Sequence, residues 1–388
     1  MTSELAEAVV DLAAVTGNVE LIGGATSAAV MAVVKADGFG HGAVPAAMAA
    51  LAGGATWLGV TSAAEALALR EAGITAPVLS WLHGPYTDYA ALAAAGIDVS
   101  VNAADQLHTL VQALGRAPST TENDKKVPFL SGGPVHVQLK VDTGMSRGGA
   151  GADGWPELVS WARKYEREGA LAVRGVWSHL ATADTSPIGV AAQAAAFAEA
   201  VAWARDAGLR PDLLHLANSA AVFTAPRTHY DLVRAGIAVY GVEPVPGRTF
   251  GLRPALSLRT HVTLVKRVPA GTGVGYGHDH VTARPTTLAL IPLGFADGVP
   301  RAAGGRAEVL LGGVRRPLAG RVAMDQCVVD AGDLDVQPGD PVTVLGPGTH
   351  GEPTAADWAA WAGTNPHEIL TGIGPRVPRR YAPGKERT

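Results

Sequence analysis

The sequence predicts a (β/α)8 barrel followed by a mainly β domain, on three observations. Short apolar or β-branched runs alternate with alanine-rich helical segments through the first 243 residues, and strands alternating with helices build parallel βαβ units. There are eight such runs, and a closed barrel needs eight units in roughly 250 residues. From residue 244 the long helical patterns stop, and Gly and Pro punctuate short apolar runs, the texture of a β domain. A doubly wound open sheet is the competing architecture. It is disfavoured because no Gly-rich dinucleotide fingerprint follows the first strand.

The expected barrel strands cover 30–34, 57–61, 78–82, 98–101, 135–141, 173–179, 213–217 and 232–237, with helices including 63–72, 88–95, 103–114, 155–168 and 191–207. Residues 42–64 carry no charge, yet Pro45 and the pair Gly53–Gly54 divide them into a helix, a turn and a buried strand. Residues 117–134, with Ser, Thr, Asn, Lys and Gly, predict a mobile loop ahead of the fifth strand. In the second part, strands are expected over 257–267, 286–292, 308–311, 326–330 and 341–345, with helices over 355–362 and 366–371. The Pro- and Gly-rich segment 243–251 divides a barrel domain, 1–243, from a β domain, 244–388.

Composition narrows the function. A net charge of −4 leaves no footprint for nucleic acid or for an anionic membrane surface. Cys327 is the single cysteine, so an intrachain disulfide and a thiolate metal cluster are excluded, and no metal site is expected. The opening MTSELAEAVV lacks the basic start and apolar stretch of a secretory signal, which predicts a cytoplasmic protein.

Barrels carry their chemistry where strands end. Sorting by that rule selects Lys35 after the first strand, Lys140, Asp142 and Arg147 at the fifth, and His179 at the sixth. His215, Asn218 and Ser219 lie at the seventh, and Arg234, Gly236 and Ile237 at the eighth. A lysine directly after four apolar residues either snorkels from the rim or is a desolvated amine able to attack a carbonyl. Gly38, Gly40 and Gly42 beyond it permit close backbone approach to a bulky ligand. Ser219 opens a helix, where a hydroxyl caps the turn and also suits an anion. Taken alone, Tyr276 reads rather as a hairpin-turn aromatic and His179 rather as a structural histidine, with a rim salt-bridge residue as the lesser reading of Arg234.

The segments AVVKADGFGHG, LKVDTGMSR, SHLATAD, HLANSAA, VRAGIAVYG, GVGYGH, LGFADGVPR, GRVAMDQ and PRVPR occur in this order from about Ala32 to Arg379. With them the sequence resembles the alanine racemase family. The resemblance implies a pyridoxal-phosphate isomerase that interconverts L- and D-alanine by a two-base mechanism and makes the D-enantiomer for cell-wall building or a secondary pathway. It also implies a head-to-tail homodimer with shared active sites. Lys35 would hold the cofactor and serve as base on one face of the substrate α-carbon. Tyr276, reaching in from the second subunit, would serve the other face. A phenol with a pKa of about 10 needs tuning for that task, and His179 matches the histidine that contacts it.

Arg234 matches the arginine facing the pyridine nitrogen. A guanidinium donates to that nitrogen without protonating it, which weakens the ring as an electron sink and favours returning a proton to carbon. Barrel decarboxylases present a carboxylate there. His215 matches a histidine supporting Arg234, and Asn218, Ser219, Gly236 and Ile237 fall at the phosphate site. Arg147 matches the arginine that contacts cofactor and substrate carboxylate, Lys140 a lysine often carboxylated to orient it, and Met324 with Asp325 a loop closing over substrate. Departures from the family pattern are Phe39, Phe295 and Pro375 in place of tyrosines, with Gly275 and Ala323 smaller than usual. These leave a racemase of another small amino acid, a barrel-type decarboxylase, and a cofactor-carrying regulatory protein as the alternatives.

Overall fold

The computed structural model describes residues 5–115 and 134–382, so positions 117–133 of the expected loop lie outside the described residues. The chain opens with a strand, β1 (Ala6–Asp11), and a helix, α1 (Leu12–Gly24), neither of which the sequence pattern announced. Asp11 ends the strand and caps the helix by accepting from the Ala14 amide at 3.0 Å. The barrel strands follow: β2 (Ala29–Val33), β3 (Trp57–Val60), β4 (Val78–Ser80), β5 (Asp98–Val101), β6 (Val135–Lys140), β7 (Leu171–Trp177), β8 (Leu213–His215) and β9 (Leu232–Ala235). All neighbouring pairs are parallel, in the spatial order β8-β7-β6-β5-β4-β3-β2-β9. A parallel sheet wrapped by helices is buried on both faces, which is why β3, β4, β5 and β9 are buried at every residue.

The last gap nearly closes. The Asp231 amide donates to Leu214 O and the Arg234 amide to Ala217 O, each at 3.0 Å, across the seam between β8 and β9. The helix Pro187–Asp206 is long and apolar enough to cross a membrane by length and composition. It buries Val190, Gln193, Phe197, Ala200, Val201 and Ala204, the one-sided spacing of a helix packed on a barrel.

The remaining chain is mostly β, as expected. Its larger sheet contains β10 (Leu256–His261), β15 (Glu308–Leu311), β16 (Val314–Pro317), β18 (Pro341–Leu345) and β19 (Arg379–Ala382), in the order β16-β15-β18-β10-β1-β19. A three-stranded sheet joins β11 (Leu264–Val268), β14 (Thr286–Ile291) and β17 (Cys327–Gly332), and the short pair β12 (Gly273–Val274) and β13 (His280–Val281) carries the Tyr276 turn. The run 257–267, expected as one strand, is two. The chain leaves one sheet for another at Val262, whose amide donates to Asp340 O and whose carbonyl accepts from the Gly339 amide.

β1 therefore belongs to the second sheet although it comes first in sequence. It pairs antiparallel with β10 and parallel with β19. Together with α1 it ties the two parts of the chain at the barrel's flank, and the Asn18 side chain donates to Val239 O and Arg253 O.

Candidate active site

Lys35 follows β2 directly and begins an unusual turn. Ala36, Asp37, Gly38, Phe39 and Gly40 all have positive φ, from 51° to 81°, a conformation costly for any residue with a Cβ. Side chains hold it: Glu65 accepts from the Ala36 amide at 2.7 Å, and Asp37 accepts from the Ala43 amide at 2.8 Å. At Gly40 a Cβ would meet Leu370 O at 2.4 Å, so the turn is clamped against the C-terminal domain. The Lys35 ammonium lies 6.0 Å from the centre of the Trp81 ring. Burial first, then the charge of Arg147, lowers its pKa against the opposing pull of Glu65.

Lys140 ends β6 and sits 4.6 Å over Trp177. Burial, with Arg147, Arg234 and Lys35 nearby, brings it down to about 8, Asp142 acting the other way. Asp142 builds the adjoining turn by accepting from the amides of Gly144, Met145 and Ser146 at 2.9, 2.9 and 3.2 Å. Arg147 projects from that turn close enough to depress both lysines.

Arg234, in β9, is 4% exposed and is held through both terminal nitrogens. Its Nη1 donates to His215 Nδ1 at 2.9 Å, and its Nη2 donates to Ser178 O at 2.6 Å, to Leu216 O at 3.0 Å and towards His179 Nδ1 at 3.4 Å. Burial pulls the guanidinium down to about 9, which leaves it charged at neutral pH. Burial and that same charge hold His179 and His215 neutral, well below the ordinary histidine range.

At the end of β8, Asn218 rather than Ser219 caps the helix Ser219–Thr224, accepting from the Ala221 amide at 3.2 Å. Ser219 Oγ is thereby left to accept from the Gly236 amide at 2.8 Å and the Ala238 amide at 3.4 Å. Ile237 is buried in the same bend. Phe39 stacks on Tyr240 with ring centres 4.8 Å apart, and a Cβ at Gly236 would lie 3.2 Å from its ring.

Lys35, Lys140, Arg147, His179, His215, Asn218, Ser219, Arg234, Gly236 and Ile237 thus gather at one mouth of the barrel. Tyr276 and Met324 do not join them within one chain. Tyr276 is 73% exposed and Met324 55%. The phenol stands on a tight turn in which Gly275, Gly277 and His278 have positive φ.

Residues 10–244 match the model of the alanine racemase N-terminal domain, and residues 255–381 that of the alanine racemase C-terminal domain. An alanine racemase of Salinispora arenicola is 51% identical over 378 residues, 97% of this chain and 98% of that protein. One from Thermobifida fusca is 49% identical over 383 residues, 98% of each chain. The crystal structure of alanine racemase from Streptomyces lavendulae superimposes with a TM-score of 0.93 at 45% identity, covering 100% of this chain and 99% of that one. The chain belongs to the alanine racemase family.

Some residues of this racemase-family site escape sequence reasoning. Trp81 and Trp177 wall the two lysines, and Trp177 also stacks on His215 at 5.6 Å with rings 4° from parallel. Trp177 lies two residues before His179 in the run 173–179 expected as a strand, and the two-residue period of that run was the available signal. Glu65 reads from sequence only as part of a helix start, and it does complete a capping box with Ser62. Nothing in the sequence announced that it also holds the turn after Lys35.

Proposed function

We propose that this protein racemises alanine with pyridoxal phosphate held on Lys35, as an isomerase whose two bases are Lys35 and Tyr276. The observation that carries the reading is the donor set gathered at the barrel mouth. It comprises a lysine depressed by burial, a hydroxyl and amides at a helix start, and a buried arginine that can only donate. Each suits one part of that cofactor: its aldehyde, its phosphate and its ring nitrogen. Lys35 would hold the aldehyde carbon. Ser219, whose Oγ accepts from two amides and so keeps its own O–H to donate, would hold the phosphate with the Ile237 amide and the cap at Asn218, and the Gly236 amide would join them by turning from Ser219 Oγ. Arg234 would face the ring nitrogen with His215 behind it.

When bound, pyridoxal phosphate supplies an electron sink that acidifies the α-C–H of an attached amino acid. The Lys35 amine takes the α-proton from one face. The Tyr276 hydroxyl, contributed by a second copy of the chain, returns a proton to the other, and the reverse reaction exchanges the roles. Arg147 receives the substrate carboxylate, and Met324 borders the substrate from the partner's side. Carboxylation of Lys140 would place an anion beside Arg147 and remove the repulsion between two cations. The alanine racemase structure from Bacillus anthracis with bound L-Ala-P, at 32% identity and a TM-score of 0.88, supports alanine as substrate.

The decarboxylase alternative is weakened at Cys327. That thiol is 2% exposed, donates to Leu293 O, and is pushed up to about 12 by burial, so it is no proton donor to a substrate. A head-to-tail homodimer accounts for the exposure of Tyr276, and we assign the enzyme to the cytoplasm.

The test is chiral chromatography of L-alanine incubated with the protein and pyridoxal phosphate in deuterated water. D-alanine carrying α-deuterium, with loss of both in Lys35→Ala, supports the reading. Bound cofactor without α-exchange would instead make the protein a carrier.

A further inference from the structure

The barrel interior holds a polar chain that runs from the candidate site to the opposite end. Arg234 Nη1 donates to His215 Nδ1 at 2.9 Å, and His215 Nε2 meets Gln138 Oε1 at 2.7 Å. Gln138 Nε2 donates to Asp98 Oδ2 at 2.8 Å, and Arg174 donates to Asp98 Oδ1 at 2.7 Å and to His136 Nδ1 at 2.8 Å. His215 closes β8 at its carboxyl end, Gln138 lies inside β6, and Asp98 and His136 stand at the amino ends of β5 and β6. His215 and Gln138 are completely buried, with Asp98 2% exposed.

The direction of every bond is fixed from both ends. A guanidinium has no acceptor, so His215 Nδ1 must accept and its proton must lie on Nε2. That proton requires the oxygen of Gln138, which turns the Gln138 amide nitrogen towards Asp98. An ionised carboxylate only accepts, and Arg174 holds it there. Reversing any single link would oppose donor to donor. Apolar side chains would fill this barrel at least as stably, since buried ion pairs seldom add net stability. A fully satisfied buried network does impose one geometry.

We infer that Gln138 and Asp98 are positioning residues for Arg234, locking the His215 tautomer and hence the guanidinium that faces the cofactor ring. The inference rests on the cofactor reading given above. Its test separates the two: if Lys35 binds no cofactor, that reading fails first, whereas indifferent variants in an active, cofactor-binding enzyme defeat only this one.

The experiment compares Gln138→Leu with the parent enzyme loaded with pyridoxal phosphate. It reads the visible absorption band of the bound cofactor, the cofactor dissociation constant by fluorescence titration, and kcat and KM separately. The expected result is a displaced absorption band and a kcat lowered about tenfold or more, with KM changed far less. The same substitution made on top of Arg234→Lys should cost little further, because residues acting as one unit are not additive. Asp98→Asn keeps the size of the side chain but lets it donate. It should move the band and kcat in the same direction by a smaller factor, and it covers the case in which Gln138→Leu does not fold. An unchanged band and kcat in a folded variant would overturn the inference, and so would a full multiplicative loss in the Arg234→Lys background.

Discussion

Arg234 is bound to His215 at 2.9 Å and as a residue is only 4% exposed. A buried cation of this kind needs hydrogen-bond partners, and here two carbonyl oxygens and two imidazoles hold Nη1 and Nη2. His215→Phe keeps the stacking on Trp177 but strands Arg234 Nη1 and Gln138 Oε1. Each orphaned group should cost about 1–3 kcal/mol, read as a lowered midpoint in urea with the slope unchanged. A midpoint equal to the parent's would show that water replaces the imidazole.

The turn after Lys35 depends on Gly40, whose φ is +81° and whose missing Cβ faces Leu370 O at 2.4 Å. Gly40→Ala should destabilise the protein by at least about 1–3 kcal/mol and loosen the hold on Lys35. Thermal unfolding and cofactor titration measure the two effects. Unchanged values in both would mean that the C-terminal domain can yield at this contact.

Asp98 gives the protein a pH signature. Burial, the larger influence, pushes its carboxyl up to about 6 against the downward pull of Gln138, Arg174 and Arg70. In the unfolded chain it releases its proton at about 3.9. Between these values the native state binds more protons, so the residue's contribution to stability declines as pH rises and levels off above about 6. Melting temperatures of parent and Asp98→Asn, followed from about pH 4 to pH 7, should show the parent losing ground over that window. A constant difference would contradict the assignment.

Lys140, brought down to about 8, carries an uncharged amine far more readily than an exposed lysine. Carboxylation requires that amine, so at fixed carbon dioxide pressure the modified fraction should rise with pH through about 8. Labelled carbon dioxide and ¹³C NMR would show a carbamate signal that Lys140→Met lacks. A parent spectrum identical to the variant's would remove Lys140 from this role.

Much of this was legible in the sequence because barrel strands are short apolar runs and their reactive groups sit at the ends. That logic picks out Lys35, Lys140, His179, His215 and Arg234 from the sequence. It did not reach β1, whose partners β10 and β19 lie some 245 or more residues away, since cross-sheet pairing leaves no local trace. Nor did it reach Gln138 and Asp98, which look like ordinary polar residues in apolar strands until the barrel turns both inward. Ser219 reads as a cap in sequence, yet the cap is Asn218, one residue earlier. That one-residue shift is what leaves the Ser219 hydroxyl to the Gly236 amide.

The central claim is that Lys35 of one chain works with Tyr276 of another. Lys35→Ala and Tyr276→Phe, each inactive alone, can be unfolded together, mixed in equal amounts and refolded with pyridoxal phosphate. Mixed dimers then contain one site with both groups intact, and statistical assembly predicts recovery of about a quarter of the parent's racemisation. A mixture as inactive as its components would contradict the shared site.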